Sequence, residues 1–218
     1  MFRAALAGAV AGACSDCEFL EADCVASLFD TLEQHPRTDL VLLDLNLPGA
    51  YGFCALAHLR GSRPELPIIV VSATDDPRTI RQALLFGAQG FISKSAGADT
   101  IGRDVQAVLR GETVTPSGCE ADPTSESDAA ALDLAQRMAQ LTAQQFRVFG
   151  MLCLGRLNKH IAYELQITEA TVKAHMTAIM RKLGAANRTQ AVLLAGHLLL
   201  EPQQLKVPLE ESDWESGC

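Results

Sequence analysis

No stretch of this 218-residue chain is both apolar enough and long enough to cross a bilayer. The alanine-rich start, Met1 to Cys14, carries one arginine and falls well short of the roughly 20 residues that a spanning helix needs. Also missing are a glycine-rich phosphate loop, a serine on a nucleophile elbow and any evident repeat. Those absences remove common designs for nucleotide and ester hydrolysis, and no enzyme activity is expected. His175 has no second histidine or cysteine at ligand spacing within its turn, so it is expected on a helix face and not on a metal. Seven cysteines, at 14, 17, 24, 54, 119, 153 and 218, follow no secretory signal and read as buried, reduced thiols. Cys14-x-x-Cys17 has the spacing of a redox or metal pair, yet no second pair completes a zinc site. The expected compartment is the cytoplasm, with no membrane partner.

What is present divides in two. The chain is 48% hydrophobic and 20% charged, with a net charge of −8, a composition that suits two modest domains. In the first half, strand-like and helix-like runs alternate, as in a parallel α/β sheet. Leu40–Leu43 and Ile68–Val71 are continuous apolar runs of the kind buried on both faces. Cys17–Glu21 and Gly90–Ser93 are weaker strand candidates. Helices are expected over Val25–Glu33, Gly52–Arg60, Pro77–Phe86 and Thr100–Arg110. From residue 115, Pro116, Gly118, Pro123 and several Ser, Thr and acidic residues through Asp133 read as a linker, with Leu134–Gln140 a lead-in helix. The expected division is 1–114 for the α/β domain, 115–137 for the linker, 138–200 for a helical domain and 201–218 for a flexible acidic tail.

The helical domain centres on Thr168–Gly184. Val172, Met176, Ile179, Met180 and Leu183 recur at helical spacing and form one apolar stripe. Thr171, Lys173, Ala174, Thr177 and Arg181 fall on the other side, a narrow face of small, hydroxyl and cationic groups that suits the DNA major groove. The same pattern also fits an ordinary amphipathic surface helix. Thr168 is the expected N-cap. Upstream, a helix through Phe146, Phe149 and Leu152 stops at Gly155, and Asn158 is expected to cap Lys159–Leu165. Gln166-Ile167 then turns the corner, completing two short helices joined by a brief turn. An apolar last helix, Gln190–Leu200, is expected to pack on the domain, a partner subunit or both. From Leu141 to Leu200, seven cations face two carboxylates, a local +5 in an acidic chain that marks a polyanion site.

The run NKHIAYELQITEATVKAHMTAIMRKLGAANRTQAVLLA, with the Leu141-Thr142 ahead of it, resembles the DNA-binding domain of the LuxR/NarL family of bacterial transcription regulators. Asn158, Lys159, Thr171, Lys173, His175, Lys182 and Arg188 stand where that pattern puts them. Lys173, with Thr177 and Ala174, is expected to read bases, while Thr171, Lys182, Asn158 and Lys159 are expected on phosphates. The implied partner is double-stranded DNA, bound by a homodimer through the last helix.

Polar residues end the α/β strands: Asp44, Ser72 and Lys94, within LLDLNLPG, SATD and GFISKS. A carboxylate, a hydroxyl and an ammonium on one sheet edge could accept and neutralise a phosphoryl group. Together these segments resemble a two-component receiver domain, a flavodoxin-like fold, across residues 2–112. The resemblance implies Asp44 as phosphoacceptor, Ser72 as switch hydroxyl, Lys94 as counter-ion and Phe91 as switch aromatic, though plain core packing also explains Phe91. It further implies a histidine kinase as partner and Mg²⁺ as cofactor. The family's first strand, ending in the acidic pair that holds Mg²⁺, has no counterpart here, since Met1–Leu6 looks like the inside of the first helix. Asp44 would therefore hold Mg²⁺ almost alone. Either the natural start lies upstream, or the receiver works without phosphate; as written, the chain is not expected to be phosphorylated efficiently at Asp44.

Overall fold

The computed structural model describes residues 2–14, 16–116, 126–196 and 198. Three parallel strands form one sheet in the order β1 (Val41–Asp44), β2 (Ile68–Ser72), β3 (Gly90–Ser93). Val41 pairs with Ile68 and Ile69 with Gly90. β2 reads IIVVS and is buried along its whole length, which is why it can be apolar on both faces. Side-chain alternation then divides the core. Ile69, Val71 and Ile92 face α1 (Phe2–Ala13) and α5 (Ala98–Leu109), through Val10, Ile101, Val105 and Val108. Leu43, Ile68, Val70 and Phe91 face the other way, toward α2 (Val25–Gln34), α3 (Cys54–Ser62) and α4 (Pro77–Leu85).

The expected strands at 41–44, 68–72 and 90–93 are present, but Cys17–Glu21 is not a strand. It runs as unpaired coil with Phe19 and Leu20 both exposed. Among the described residues β1 pairs only with β2, and its open outer edge makes no hydrogen bond to the 17–21 coil, which lies across a cleft from it. Cys17 in that coil is exposed and Cys14 and Cys24 are half-buried, so the expectation of buried thiols describes only Cys54 and Cys153 among the described cysteines. Between that edge, α1, α2 and the coil opens a cleft of about 1520 Å³, lined by Leu6, Val10, Leu40, Leu42 and Val105 among others.

The helical half contains α6 (Glu126–Ala139), α7 (Ala143–Cys153), α8 (Asn158–Glu164), α9 (Glu169–Leu183) and α10 (Arg188–Gly196). Two boundaries move. The expected linker gives way to helix at Glu126, because Ala131, Leu134, Ala135 and Met138 form an apolar stripe that buries against α3. Gly61 makes room for it, for a Cβ there would sit 2.2 Å from the Cβ of Ala139. α8 begins at Asn158, so Leu157 is its N-cap residue and Asn158 is not. The expected acidic tail, 201–218, lies outside the described residues, as does the end of the Gln190–Leu200 helix apart from Leu198.

The two halves share one core. Phe146 of α7 stacks on His58 of α3 at 4.7 Å between centroids, and Phe29 of α2 meets both rings edge-on at 5.0 and 5.5 Å. Between the two halves, Arg147 also pairs with Asp30, Arg81 lies 3.7 Å from Asp128, and the Phe53 amide donates to the Leu198 carbonyl at 2.8 Å. His58 is buried, its Nδ1 has no hydrogen-bond partner, and its one bond goes to the Met138 backbone. Burial outweighs that bond and pushes the imidazole down to about 4, so it is neutral at physiological pH.

Candidate nucleic-acid interface and carboxylate site

α9 is set by its two ends. The Thr168 hydroxyl accepts from the Thr171 amide at 3.1 Å, closing the first turn, and Gly184 ends the helix in the left-handed region at φ 70°. Val172, Met176, Ile179 and Leu183 are buried, while Met180 is only half-buried at the edge of the stripe. On the opposite side Lys173, Ala174, Thr177 and Arg181 are exposed, with Thr171 and His175 half-buried at the borders. The Thr177 hydroxyl donates back to the Lys173 carbonyl at 3.0 Å, which leaves its lone pairs outward. The corner before α9 places Gln166 at φ 53°, and the Ile167 amide returns to the Ala162 carbonyl at 3.0 Å. This fixes α8 against α9, with Lys159 exposed and Asn158 half-buried.

Three cations counted toward the basic face are engaged by other groups of the protein. Lys182 donates to the Gln140 carbonyl at 2.8 Å and to Gln145 Oε1 at 2.7 Å. Arg188 donates to the Arg156 carbonyl at 2.6 Å, and Arg147 is taken up by Asp30 in the other half. The accessible positive charge is thus concentrated on Lys159, Lys173 and Arg181, with Arg156 exposed beside Glu164.

At the carboxyl edge of the sheet, Lys94 Nζ lies 2.6 Å from Asp44 Oδ2, and the Asn46 amide donates to Asp44 Oδ1 at 2.9 Å. The pair is roughly a third exposed or less on each side, so its contribution to stability is about 1 kcal/mol or below. Ser72 is buried and its hydroxyl accepts from the Thr74 amide at 3.1 Å. Phe91 points into the core and is 2% exposed, in the packed arrangement that core packing alone would give. Whether Mg²⁺ fits depends on carboxylates. Among the described residues no group of three His, Cys, Asp or Glu could hold a metal, and both oxygens of Asp44 are already engaged. Mg²⁺ usually takes one or two carboxylates together with waters and phosphate oxygens, so Asp44 is the residue at this edge that would hold it, in competition with Lys94.

Residues 2–106 match the response regulator receiver domain, and residues 139–195 match the luxR family of bacterial regulatory proteins. Over 202 residues the chain is 36% identical to the glycerol metabolism activator of Pseudomonas putida, covering 91% of each protein. The chain belongs to the LuxR-type response regulators. It is also 32% identical over 162 residues to the transcriptional regulatory protein LnrK of Bacillus subtilis (strain 168), across 71% of this chain and 74% of that one. Among solved structures, the signal receiver domain of the response regulator NarL from Mycobacterium tuberculosis aligns at 30% identity and a TM-score of 0.46, over 51% of this chain and 89% of that one.

As a LuxR-type response regulator, the protein is a DNA-binding transcriptional regulator with a receiver and a helix-turn-helix output domain. Asp44 and Lys94, 50 residues apart, are brought together as the sequence suggested. Missed were Asn46 and Asp75. The first orients Asp44 through its amide, and the second accepts from the Ser93 hydroxyl at 2.9 Å next to Lys94. The Asp of SATD was the signal for Asp75. Among the described residues, no helix is long and apolar enough to cross a membrane.

Proposed function

We propose that this response regulator binds double-stranded DNA through the exposed face of α9, as a homodimer paired through α10, in the cytoplasm. The observation that carries the reading is that this face is open to solvent while the receiver is docked on the opposite side of the domain. Lys173 reads a base edge, with Ala174 and Thr177 beside it. Lys159, Asn158 and Thr171 set the register on phosphates, and His175 flanks them. Lys182 joins that set less directly, since its ammonium also bonds Gln140 and Gln145. Leu193, 57% exposed on α10, is the apolar contact offered to a second copy.

The test is binding to DNA selected from a random pool, read by fluorescence anisotropy. Lys173→Ala should weaken binding about 10- to 100-fold on the selected site and erase the preference at one base pair. Lys159→Ala should weaken all sequences alike and reduce the salt slope by about 1. A protein with no salt-sensitive DNA affinity would refute the reading.

Control in this chain is proposed to act through pairing of copies, without phosphate on Asp44. The support is the carboxylate count around Asp44 and its direct pairing with Lys94. Mg²⁺-dependent labelling by acetyl phosphate that Asp44→Asn abolishes would overturn this. It would restore a histidine kinase as partner, with Asp44 as phosphoacceptor and Ser72, Lys94 and Phe91 as the switch.

A further inference from the structure

The last turn of α6 touches both halves of the protein at once. Ala139 lies against Gly61 of α3, so closely that a Cβ on Gly61 would stand 2.2 Å from the Ala139 Cβ. Positions two apart on a helix point to opposite sides, and Arg137 reaches the other way, to the end of α9. Its Nη1 donates to the Leu183 carbonyl at 3.0 Å, while its Nη2 pairs with Asp133 one turn earlier at 2.6 Å. We propose that this turn braces the recognition helix against the receiver, with Arg137 as the positioning residue that carries receiver docking to α9, which rests on α9 being the helix that enters DNA.

The chemistry of a helix end explains why the guanidinium sits there. The Leu183 carbonyl is among the last four of α9, which lack amide partners inside the helix and carry the negative end of its dipole. Gly184 follows it in the left-handed region, and a Cβ there would lie 2.6 Å from Arg137 Nη1. Glycine thus ends the helix and also leaves the opening through which the guanidinium approaches. Asp133 holds one edge of the fork and leaves the other for α9. A second tie comes from the α9 side, where Lys182 donates to the Gln140 carbonyl at 2.8 Å, just past the end of α6. Arg137 and Gln140, three residues apart, share one face of the turn; Met138, fully buried, and Ala139 occupy the other.

The path between the two halves is short and stiff. From Ala139 back to Arg137, α6 rises only about 3 Å, with no loop in between. From Leu183 back to Lys173, α9 runs about 15 Å, so a tilt at the braced end displaces the side chains at the reading end. Such contacts need placement to within about 0.5 Å. Arg137 and Asp133 are 39% and 58% exposed, so their ion pair adds little to stability; the weight of Arg137 falls on the orientation of α9. A docked receiver therefore sets how tightly each copy reads DNA, without covering or touching the reading face.

The full-length protein, Gly61→Ala, Arg137→Ala and the double variant are titrated by fluorescence anisotropy, across a salt series, onto DNA selected from a random pool. Each single variant should bind about 5- to 20-fold more weakly at an unchanged salt slope, since neither position touches DNA. The double variant should bind no more weakly than the weaker single, because both break the same brace. Arg137→Lys keeps the charge but cannot hold Asp133 and Leu183 together; it should fall in between, and it replaces Arg137→Ala if circular dichroism shows that variant unfolded. Hydrogen exchange separates bracing from local stability: saturating DNA should slow exchange of the α3 amides in the unaltered protein and not in the Arg137 variant. Unchanged affinity in the Arg137 variant, a salt slope smaller by about 1, losses that multiply in the double variant, or equal protection of α3 with and without Arg137 would each overturn the brace. An unaltered protein with no salt-sensitive DNA affinity would instead refute α9 as the helix that enters DNA, and the brace would fall with it.

Discussion

Gly61 decides whether the two halves of the protein are truly packed on each other. In an unencumbered helix, glycine to alanine stabilises by about 1 kcal/mol. Here the added Cβ would lie 2.2 Å from the Cβ of Ala139, 2.7 Å from its Cα and 2.9 Å from its carbonyl oxygen. Carbon atoms in contact sit about 3.5–4.0 Å apart, so α3 and α6 must separate by more than an ångström. Two of these three atoms are backbone, and no side-chain rotation relieves them. Overpacking of this kind costs about 1–3 kcal/mol, and separation also loosens Leu134 and Met138, both buried in the seam. The expected net result for Gly61→Ala is a loss of about 1–2 kcal/mol, a fall in Tm of about 2–8 °C for a chain of this size. Urea denaturation followed by fluorescence or circular dichroism measures it. Combining Gly61→Ala with Ala139→Gly should recover most of the loss, so the double-mutant cycle should show favourable coupling above 0.5 kcal/mol. A single Gly61→Ala variant that gains the full helix-propensity increment, with no coupling to position 139, would refute the packing of α3 on α6.

His58 provides a pH signature. Its folded-state value of about 4 lies below the ordinary 6.5, so between those values the unfolded chain binds the extra proton and stability rises with pH. The contribution is complete above 6.5 and falls through the window by up to about 3 kcal/mol; stability curves for the protein and His58→Phe should diverge there and run parallel above it. Thr168→Ala removes the hydroxyl cap of α9 and should cost about 1 kcal/mol in denaturant midpoint, with an equal-sized deficit for Thr168→Val. Gln166→Gly relaxes the left-handed corner between α8 and α9 and should raise stability by about 0.5–1 kcal/mol, measured by the same melts; a loss would mean the corner is unstrained.

Much of this was legible because it is written locally. The stripe Val172–Met176–Ile179–Leu183, the Thr168 cap and the Gly184 stop all lie within one helix and its ends, and helical spacing reads them directly. The apolar runs of β1 and β2 announce burial on both faces. α6 was read too short because Glu126–Ala139 opens with polar and small residues, yet Ala131, Leu134, Ala135 and Met138 carry a helical stripe that could have extended it. Cys17–Glu21 has strand character, but a strand exists only with a partner, and the edge it would need is remote in sequence. Lys182 matches a pattern for phosphate contact, and the structure adds bonds to Gln140 and Gln145, some 40 residues away, that no local pattern shows. The seam of His58, Phe29 and Phe146 left no mark, since each residue alone reads as ordinary core.

The open outer face of α9 bears on how steeply a promoter would answer this protein. On the proposed reading, the receiver does not act by covering the α9 face, and control falls to the pairing of copies. What remains adjustable is how often two copies meet. Occupancy of a paired operator then follows the square of the free monomer level in the dilute range, so halving expression lowers it roughly fourfold. If α10 pairs the copies as proposed, synthesis and turnover become inputs as direct as any stimulus, and the exposed Leu193 would help set the concentration at which that quadratic response begins.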